Sequence, residues 1–326
     1  MPEAQPMLQS KMCTQEQLEL PAFQDWAERL GETRGRLHRK IWEYCFIAEA
    51  LSERDLLRPG VTGLGFAVGS EPLASLFCSL GVQVLATDMD AELAKQQGWV
   101  DTNQHASGLE TLNTRDICPS DTFAENCSFR PVDMNAIPDD LRQFDFVWSS
   151  CAFEHLGSID HGLEFVYQAM SCLKPGGVAV HTTEFNCASD DDTVAEGQTV
   201  IFRRRDFEAL AIRLRADGYE VDLDFSDGTL PADQAVDAPP YGHQVHLKIE
   251  LGQYVTSSYG LVIRKPAEGK TPSQSDADQD RQTARSAPGP QLPDERYRPT
   301  PQPSPAPTLA SVPRRLVRRA RRMLRR

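Results

Sequence analysis

The chain has 326 residues, 40% hydrophobic and 25% charged, with a formal net charge of -13. That mix suits a soluble globular protein with a sizeable core. The last fourteen residues, PRRLVRRARRMLRR, hold eight arginines and no acid, so the rest of the chain carries -21. A body that acidic excludes broad nucleic-acid binding, which needs positive charge against phosphate.

None of the eight cysteines sits in a CxxC pair, and the opening MPEAQPMLQSK lacks the apolar stretch of a secretory signal. No apolar run reaches the ~20 residues that span a bilayer. A cytoplasmic protein with reduced thiols is expected.

Residues 1–20 read as mobile, within an N-terminal extension over 1–32. From Thr33 to Leu51 the apolar residues Leu37, Ile41, Tyr44, Ala48 and Leu51 recur at helical spacing. After the punctuation of RPG, VTGLGF (61–66) reads as a strand with a glycine turn, and SEPLASLFCSL as the helix that follows. VQVLATD (82–88) is the second strand, AELAKQQGW a short helix, FRPVD (129–133) the third strand and FDFVWSS (144–150) the fourth. HGLEFVYQAMSCL (161–173) is a helix, KPGG a turn and VAVHTTE (178–184) the fifth strand. RDFEALAIRLRADG is a helix, and YEVDLDF (219–225) and SYGLVIRK (258–265) are the last two strands. Strands alternating with helices predict a parallel sheet covered on both faces. The last strand follows a long connection without a clear helix, which suits an antiparallel strand. Residues 266–308, rich in Pro, Ser, Gln, Asp and Ala, have little to bury and read as a disordered linker.

Ligands of such sheets bind at the carboxyl ends of the strands. There the chain places Gly63, Gly65 and Gly69 in a turn, Asp88 at the end of the second strand and Asp133 with Met134 at the end of the third. An acid at the second strand could accept hydrogen bonds from ribose hydroxyls, and one at the third from an exocyclic adenine amine, with Met134 packed on the ring. The dinucleotide fingerprint GxGxxG fails, because Val68 stands at its third glycine and Glu71 would repel a pyrophosphate. A cofactor with a positive centre and no phosphate fits better.

The order GLGFAVG, ATDMD, VDMN, FDFVWSSCAFEHLG and LKPGGVAVHTTE resembles the class I S-adenosylmethionine-dependent methyltransferases over roughly residues 40–265. Among these it looks most like bacterial enzymes of cell-surface glycan biosynthesis. The resemblance implies a Rossmann-like, doubly wound, three-layer α/β/α domain over 33–265, with a seven-stranded, mostly parallel sheet and the last strand antiparallel. It implies S-adenosyl-L-methionine as cofactor. Gly63, Gly65 and Gly69 then lie at its methionine end, Asp88 and Met89 at the ribose, Asp133 and Met134 at the adenine, and Ser150 beside the sulfonium. The sequence departs from the family pattern at two points. Its GxGxG appears as Gly65-Phe66-Ala67-Val68-Gly69, and the acid that commonly precedes it is Gly63; Glu71 is a candidate substitute. The small residues Ser149, Ser150 and Cys151 would leave the methyl group's path open.

Methyl transfer to a hydroxyl calls for alignment and removal of a proton. Glu154, His155, His181 and Glu184 are candidate bases, with His155 and Glu154 first because they directly follow the fourth strand. His243 and His246, without nearby cysteine or acid ligands in sequence, make a poor metal site, so no metal is expected. Trp99, Asn103, Gln104 and His105, together with the segment 226–255, are candidates to shape the acceptor pocket. In the tail, Leu316, Val317, Ala320, Met323 and Leu324 gather on one side of a helical wheel and the arginines on the rest. An amphipathic helix over 309–326 is expected, suited to an anionic membrane surface. The reading is an O-methyltransferase of a glycan sugar or its lipid-linked precursor, peripheral at the inner membrane face. The alternative is an inactive methyltransferase-like domain serving as a membrane-tethered scaffold.

Overall fold

The computed structural model describes residues 7–96, 105–242 and 244–267. The expected tail helix, most of the linker, His243 and the acceptor candidates Trp99, Asn103 and Gln104 lie outside the described residues.

In chain order the elements are β1 (Ser10–Met12), α1 (Gln15–Glu19), α2 (Pro21–Arg29), α3 (Arg39–Ser52), β2 (Thr62–Gly65), α4 (Leu73–Ser79), β3 (Gln83–Asp88), α5 (Ala91–Gln96), α6 (Ser120–Asn126), β4 (Cys127–Pro131), β5 (Phe144–Ser150), α7 (Ile159–Ala169) and β6 (Leu173–Asn186). Then follow α8 (Arg204–Ala216), β7 (Glu220–Val221), β8 (Leu223–Asp224), β9 (Val236–Asp237), β10 (Lys248–Leu251) and β11 (Tyr254–Arg264). The sheet order is β8-β1-β11-β6-β5-β2-β3-β4, with β7, β9 and β10 attached to β11 or its neighbours. From β4 through β6 the pairings are parallel. β11 runs antiparallel to β6 over Thr256–Arg264. This is the Rossmann-like, doubly wound arrangement expected from the sequence, with the last strand antiparallel. Its strand order reverses between β2 and β5.

The seven expected strands are present, but the sheet has eleven, because short strands extend it. The expected sixth strand, 219–225, is split into two two-residue strands. β7 pairs with the far end of β11, while β8 pairs with β1. β1 lies between β8 and β11, bonding β11 directly with Lys11 opposite Gly260 and Met12 opposite Tyr259. The mobile reading of residues 1–20 is therefore corrected for 7–20. Leu18 is 1% exposed and packs with Phe23 and Trp42 in the core.

Two other boundaries differ from the expectation. α3 starts at Arg39, where the His38 ring accepts a hydrogen bond from the Lys40 N–H and caps the helix. KPGG lies inside the span of β6 as an irregularity: Phe144 pairs with Leu173 but Phe146 with Val178.

One core layer lies between the sheet and α2, α3 and α4, filled by Trp42, Phe46, Phe77, Phe146 and Trp148. The other lies between the sheet and α7 and α8, filled by Phe66, Phe153, Phe165, Phe202 and Phe207. β5 and β6 are buried beyond their short apolar stretches, Phe146–Trp148 and Val178–Val180, since Ser149, Ser150 and the residues from His181 to Glu184 are buried too. No described helix is long and apolar enough to cross a membrane.

Candidate functional site

The turn after β2 is fastened to both neighbouring strands. The Phe66 N–H donates to the Trp148 carbonyl at 2.9 Å and the Val68 N–H to the Thr87 carbonyl at 3.0 Å. Ala67 and Gly69 both adopt left-handed backbone, at φ 45° and 54°. The position at which the family pattern has glycine therefore keeps a glycine-type conformation while carrying a methyl group, which is strained. Gly63 and Gly65 are glycine for a different reason. A Cβ on Gly63 would sit 2.4 Å from Phe146 Cζ, and one on Gly65 2.4 Å from Trp148 Cζ2 and 2.5 Å from Val68 Cγ1. On those two residues the free space is already filled by the aromatic layer.

Asp88 closes the turn from the side. Its carboxylate accepts from the Gly69 N–H at 3.0 Å, the Ala106 N–H at 2.9 Å and the Met89 N–H at 2.7 Å. Burial raises its pKa against the lowering effect of those amides. Two of the bonds go to Oδ2 and one to Oδ1, so one lone pair on Oδ1 is left for a ligand hydroxyl. Met89 is half-buried, and its carbonyl accepts from His105 Nε2 at 2.7 Å. The end of β4 is tied alongside, since the Val132 N–H donates to the Asp88 carbonyl. Asp133 itself is exposed and accepts from the Asn135 N–H at 2.8 Å, while Met134 is 7% exposed and packs inward.

At the end of β5 the chain passes from Ser150 to Cys151, which is also left-handed at φ 45°. The Ser150 hydroxyl is 3.5 Å from Glu43 Oε2, a carboxylate on α3 with no exposed surface. Glu43 is held by Lys40 Nζ at 2.7 Å and by the Ser258 hydroxyl at 2.5 Å. Burial acts to raise its pKa, but Lys40 and Arg39 outweigh that and hold it below the usual range. Lys40 also reaches Glu71 Oε1 at 3.4 Å. The other oxygen of Glu71, Oε2, is buried without a hydrogen-bond partner. Burial, with help from Glu43 and against Lys40, pushes Glu71 up to about 7. Beside this group Arg39 pairs with the nearly buried Glu184 at 2.7 Å. Burial, then Glu43, pushes the Cys151 thiol up, so it is not poised as a nucleophile.

The candidate bases separate into different surroundings. Glu154 is 2% exposed and accepts from the Thr183 hydroxyl at 2.8 Å, and burial raises its pKa. His155 is half-buried; its Nδ1 lies 2.8 Å from the Gln198 carbonyl and 3.2 Å from the Thr199 hydroxyl. His181 is fully buried between Phe153 and Phe165, with Nδ1 2.8 Å from the Ser149 hydroxyl, and burial drives its pKa down to about 3. One further imidazole is not evident from the sequence as part of a pair. His246 Nδ1 lies 2.6 Å from Asp237 Oδ2, whose side chain is fully buried, and its ring stacks on His38 at 4.6 Å. Asp237 and His246 stand far enough apart in sequence that only the pairing of β9 with β10 signals their meeting. Among the described residues no set of three or more His, Cys, Asp or Glu side chains is placed to hold a metal ion.

No family profile matches the chain, and no curated protein matches it. Among solved structures it is similar to a protein assigned as a sarcosine dimethylglycine methyltransferase from Galdieria sulphuraria. The identity is 18% and the TM-score 0.44, over 70% of this chain and 85% of that one. It is also similar to a SAM-dependent methyltransferase from Methanosarcina mazei, at 14% identity and TM-score 0.41 over 67% and 98% of the two chains. A third is a SAM-dependent methyltransferase from Aquifex aeolicus, at 14% and 0.39 over 77% and 96%. At these scores the fold stands on its own strand order, and the function on the site.

Proposed function

We propose that the chain is a class I methyltransferase that binds S-adenosyl-L-methionine where the strand order reverses. One observation carries this reading: the turn after β2 keeps left-handed backbone at Ala67 and Gly69, and Asp88 fastens it through the Gly69 N–H. Strain kept at a sheet's carboxyl edge is characteristic of a ligand site rather than of packing. The cofactor supplies an electrophilic methyl group on a sulfonium. The chain's own residues supply the rest. Asp88 keeps one lone pair for a ribose hydroxyl, with Met89 next to it. Asp133 and Met134 lie at the neighbouring strand end for the base. Gly63 and Gly65 let the aromatic layer close beneath the turn, and Gly69 shapes it. Ser150, fixed by Glu43, ends β5 with a small side chain.

For the acceptor we propose a sugar hydroxyl of a cell-surface glycan or its lipid-linked precursor, in keeping with the resemblance to bacterial enzymes of cell-surface glycan biosynthesis. His155 is the proposed proton acceptor, because it is the part-exposed imidazole directly after β5. Glu154, tucked against Thr183, acts by fixing the loop that carries it. His246, oriented by Asp237, is the second imidazole to replace in the same assay. The arginine-rich segment 309–326 would hold the enzyme at an anionic membrane surface; full-length protein should co-sediment with phosphatidylglycerol vesicles and a 1–267 truncation should not.

Calorimetric titration with S-adenosylmethionine and S-adenosylhomocysteine, with NAD as control, tests the cofactor reading. Micromolar binding of the first two alone is expected. Absence of all three would refute it.

A further inference from the structure

The acid that usually precedes the glycine turn is missing here, and the structure shows why. Position 63 has no room for any side chain, because Phe146 fills the Cβ position at 2.4 Å. On the same turn, Glu71 places a buried carboxylate oxygen, Oε2, with no partner at hydrogen-bond distance; the Ser150 hydroxyl also acts on this carboxylate but is directed to Glu43. A buried acceptor without a partner is costly, and a site that keeps one is open to a donor from outside the chain.

The surroundings specify that donor. Two carboxylates, Glu43 and Glu71, face one ammonium, Lys40, at 2.7 and 3.4 Å. With Glu71 ionised the group is one negative charge in excess, which favours a cation. Lys40 Nζ has three N–H donors and two are directed to these carboxylates, so one remains for an anion. Glu43 is held by Lys40 and by the Ser150 and Ser258 hydroxyls. Glu71 Oε2 is therefore the free acceptor and Lys40 the free donor, side by side. A ligand that carries an ammonium and a carboxylate on one carbon satisfies both.

We propose that Glu71 and Lys40 together bind an α-amino acid end group, with Glu71 taking the ammonium in place of the acid that position 63 cannot hold. The inference rests on the cofactor reading above and assigns that cofactor's amino-acid end to α3 and the turn rather than to the end of β2.

The test is calorimetry on the full chain with two probes, S-adenosylhomocysteine, which carries the amino-acid end, and 5′-methylthioadenosine, which lacks it. Glu71→Gln keeps the shape and removes the charge. It should weaken S-adenosylhomocysteine by about 10- to 150-fold, the worth of one hydrogen bond to a charged group. Binding of 5′-methylthioadenosine should be unchanged, which also reports that the variant is folded. Equal affinity of wild type and Glu71→Gln for S-adenosylhomocysteine would overturn the assignment. So would loss of both probes by the variant, which would mark Glu71 as a general structural support. If wild type binds neither probe, the cofactor reading itself fails.

Discussion

Replacing Lys40 by methionine should expose how much of the domain depends on one buried carboxylate. Glu43 has no exposed surface, and Lys40 is the ammonium 2.7 Å from it. Removing one partner of such a pair leaves an uncompensated buried charge, at a cost of about 3–5 kcal/mol. At about 2–4 °C per kcal/mol for a domain of this size, Tm should fall by roughly 6–20 °C. The deficit should depend on pH with a definite sign. In the wild type Glu43 is held below its ordinary pKa, so its contribution is present above the unfolded value and lost as pH falls through the folded one. In Lys40→Met, burial is opposed only by Arg39 and the Ser258 hydroxyl, so that pKa should rise and the charge then costs more stability as pH rises. The gap between the two proteins should be larger at pH 8 than at pH 5. The double variant Lys40→Met/Glu43→Leu should recover most of the loss, since a buried ion pair exchanged for apolar groups is often neutral. Chemical unfolding at the two pH values measures all of this. A gap under about 1 kcal/mol, or one that does not change with pH, would refute the role given to Lys40.

Gly65→Ala should lose about 1–3 kcal/mol, because its Cβ must displace the Trp148 ring, which packs edge-on against Phe77. An unchanged Tm would show that the layer can yield. Ala67→Gly should move the other way. Left-handed alanine costs about 1–2 kcal/mol, and the extra freedom of glycine in the unfolded chain returns about 0.5–1 of it. A Tm below wild type would contradict the strain. His181 and His38 are driven by burial to about 3 and about 4, with His246 adding to the effect at His38. Their unfolded forms take up protons first, so stability should be full near pH 7 and fall toward pH 4. The slope is up to about 1.4 kcal/mol per pH unit for each histidine. His181→Asn should lessen the slope, and an unchanged one would remove His181 as its source.

Much of the sheet was legible in the sequence because β5, β6 and β11 each hold a short apolar stretch, Phe146–Trp148, Val178–Val180 and Leu261–Ile263. The carboxyl-edge positions of Asp88 and Ser150 followed from strand ends alone. What stayed hidden depended on distant partners. Ser10–Met12 is too short and polar to read as a strand until β11 lies beside it. Glu43 looks like the polar side of a helix, since nothing local shows that Lys40, Ser150 and Ser258 converge on it. The glycines at 63 and 65 invite a ligand reading, yet the rings of Phe146 and Trp148, some eighty residues on, already fill their space. Asp237 and His246 sit in a segment with little periodicity, and β9–β10 pairing alone unites them.

The position of β1 bears on how the chain can assemble. Ser10 meets Val262 through its hydroxyl, which accepts from the Val262 N–H at 2.9 Å, and the Cys13 N–H reaches the Ser258 carbonyl at 2.9 Å. During synthesis β1 is made long before its partner β11, which ends only at Arg264. Until then one side of β11's place in the sheet cannot be closed. Once β11 has formed, any loss of residues before Cys13 leaves a length of its backbone open to strands of other molecules. A segment made long before its partner strand thus acts as the last seal on the sheet, and a variant lacking residues 7–12 should self-associate before it loses its core.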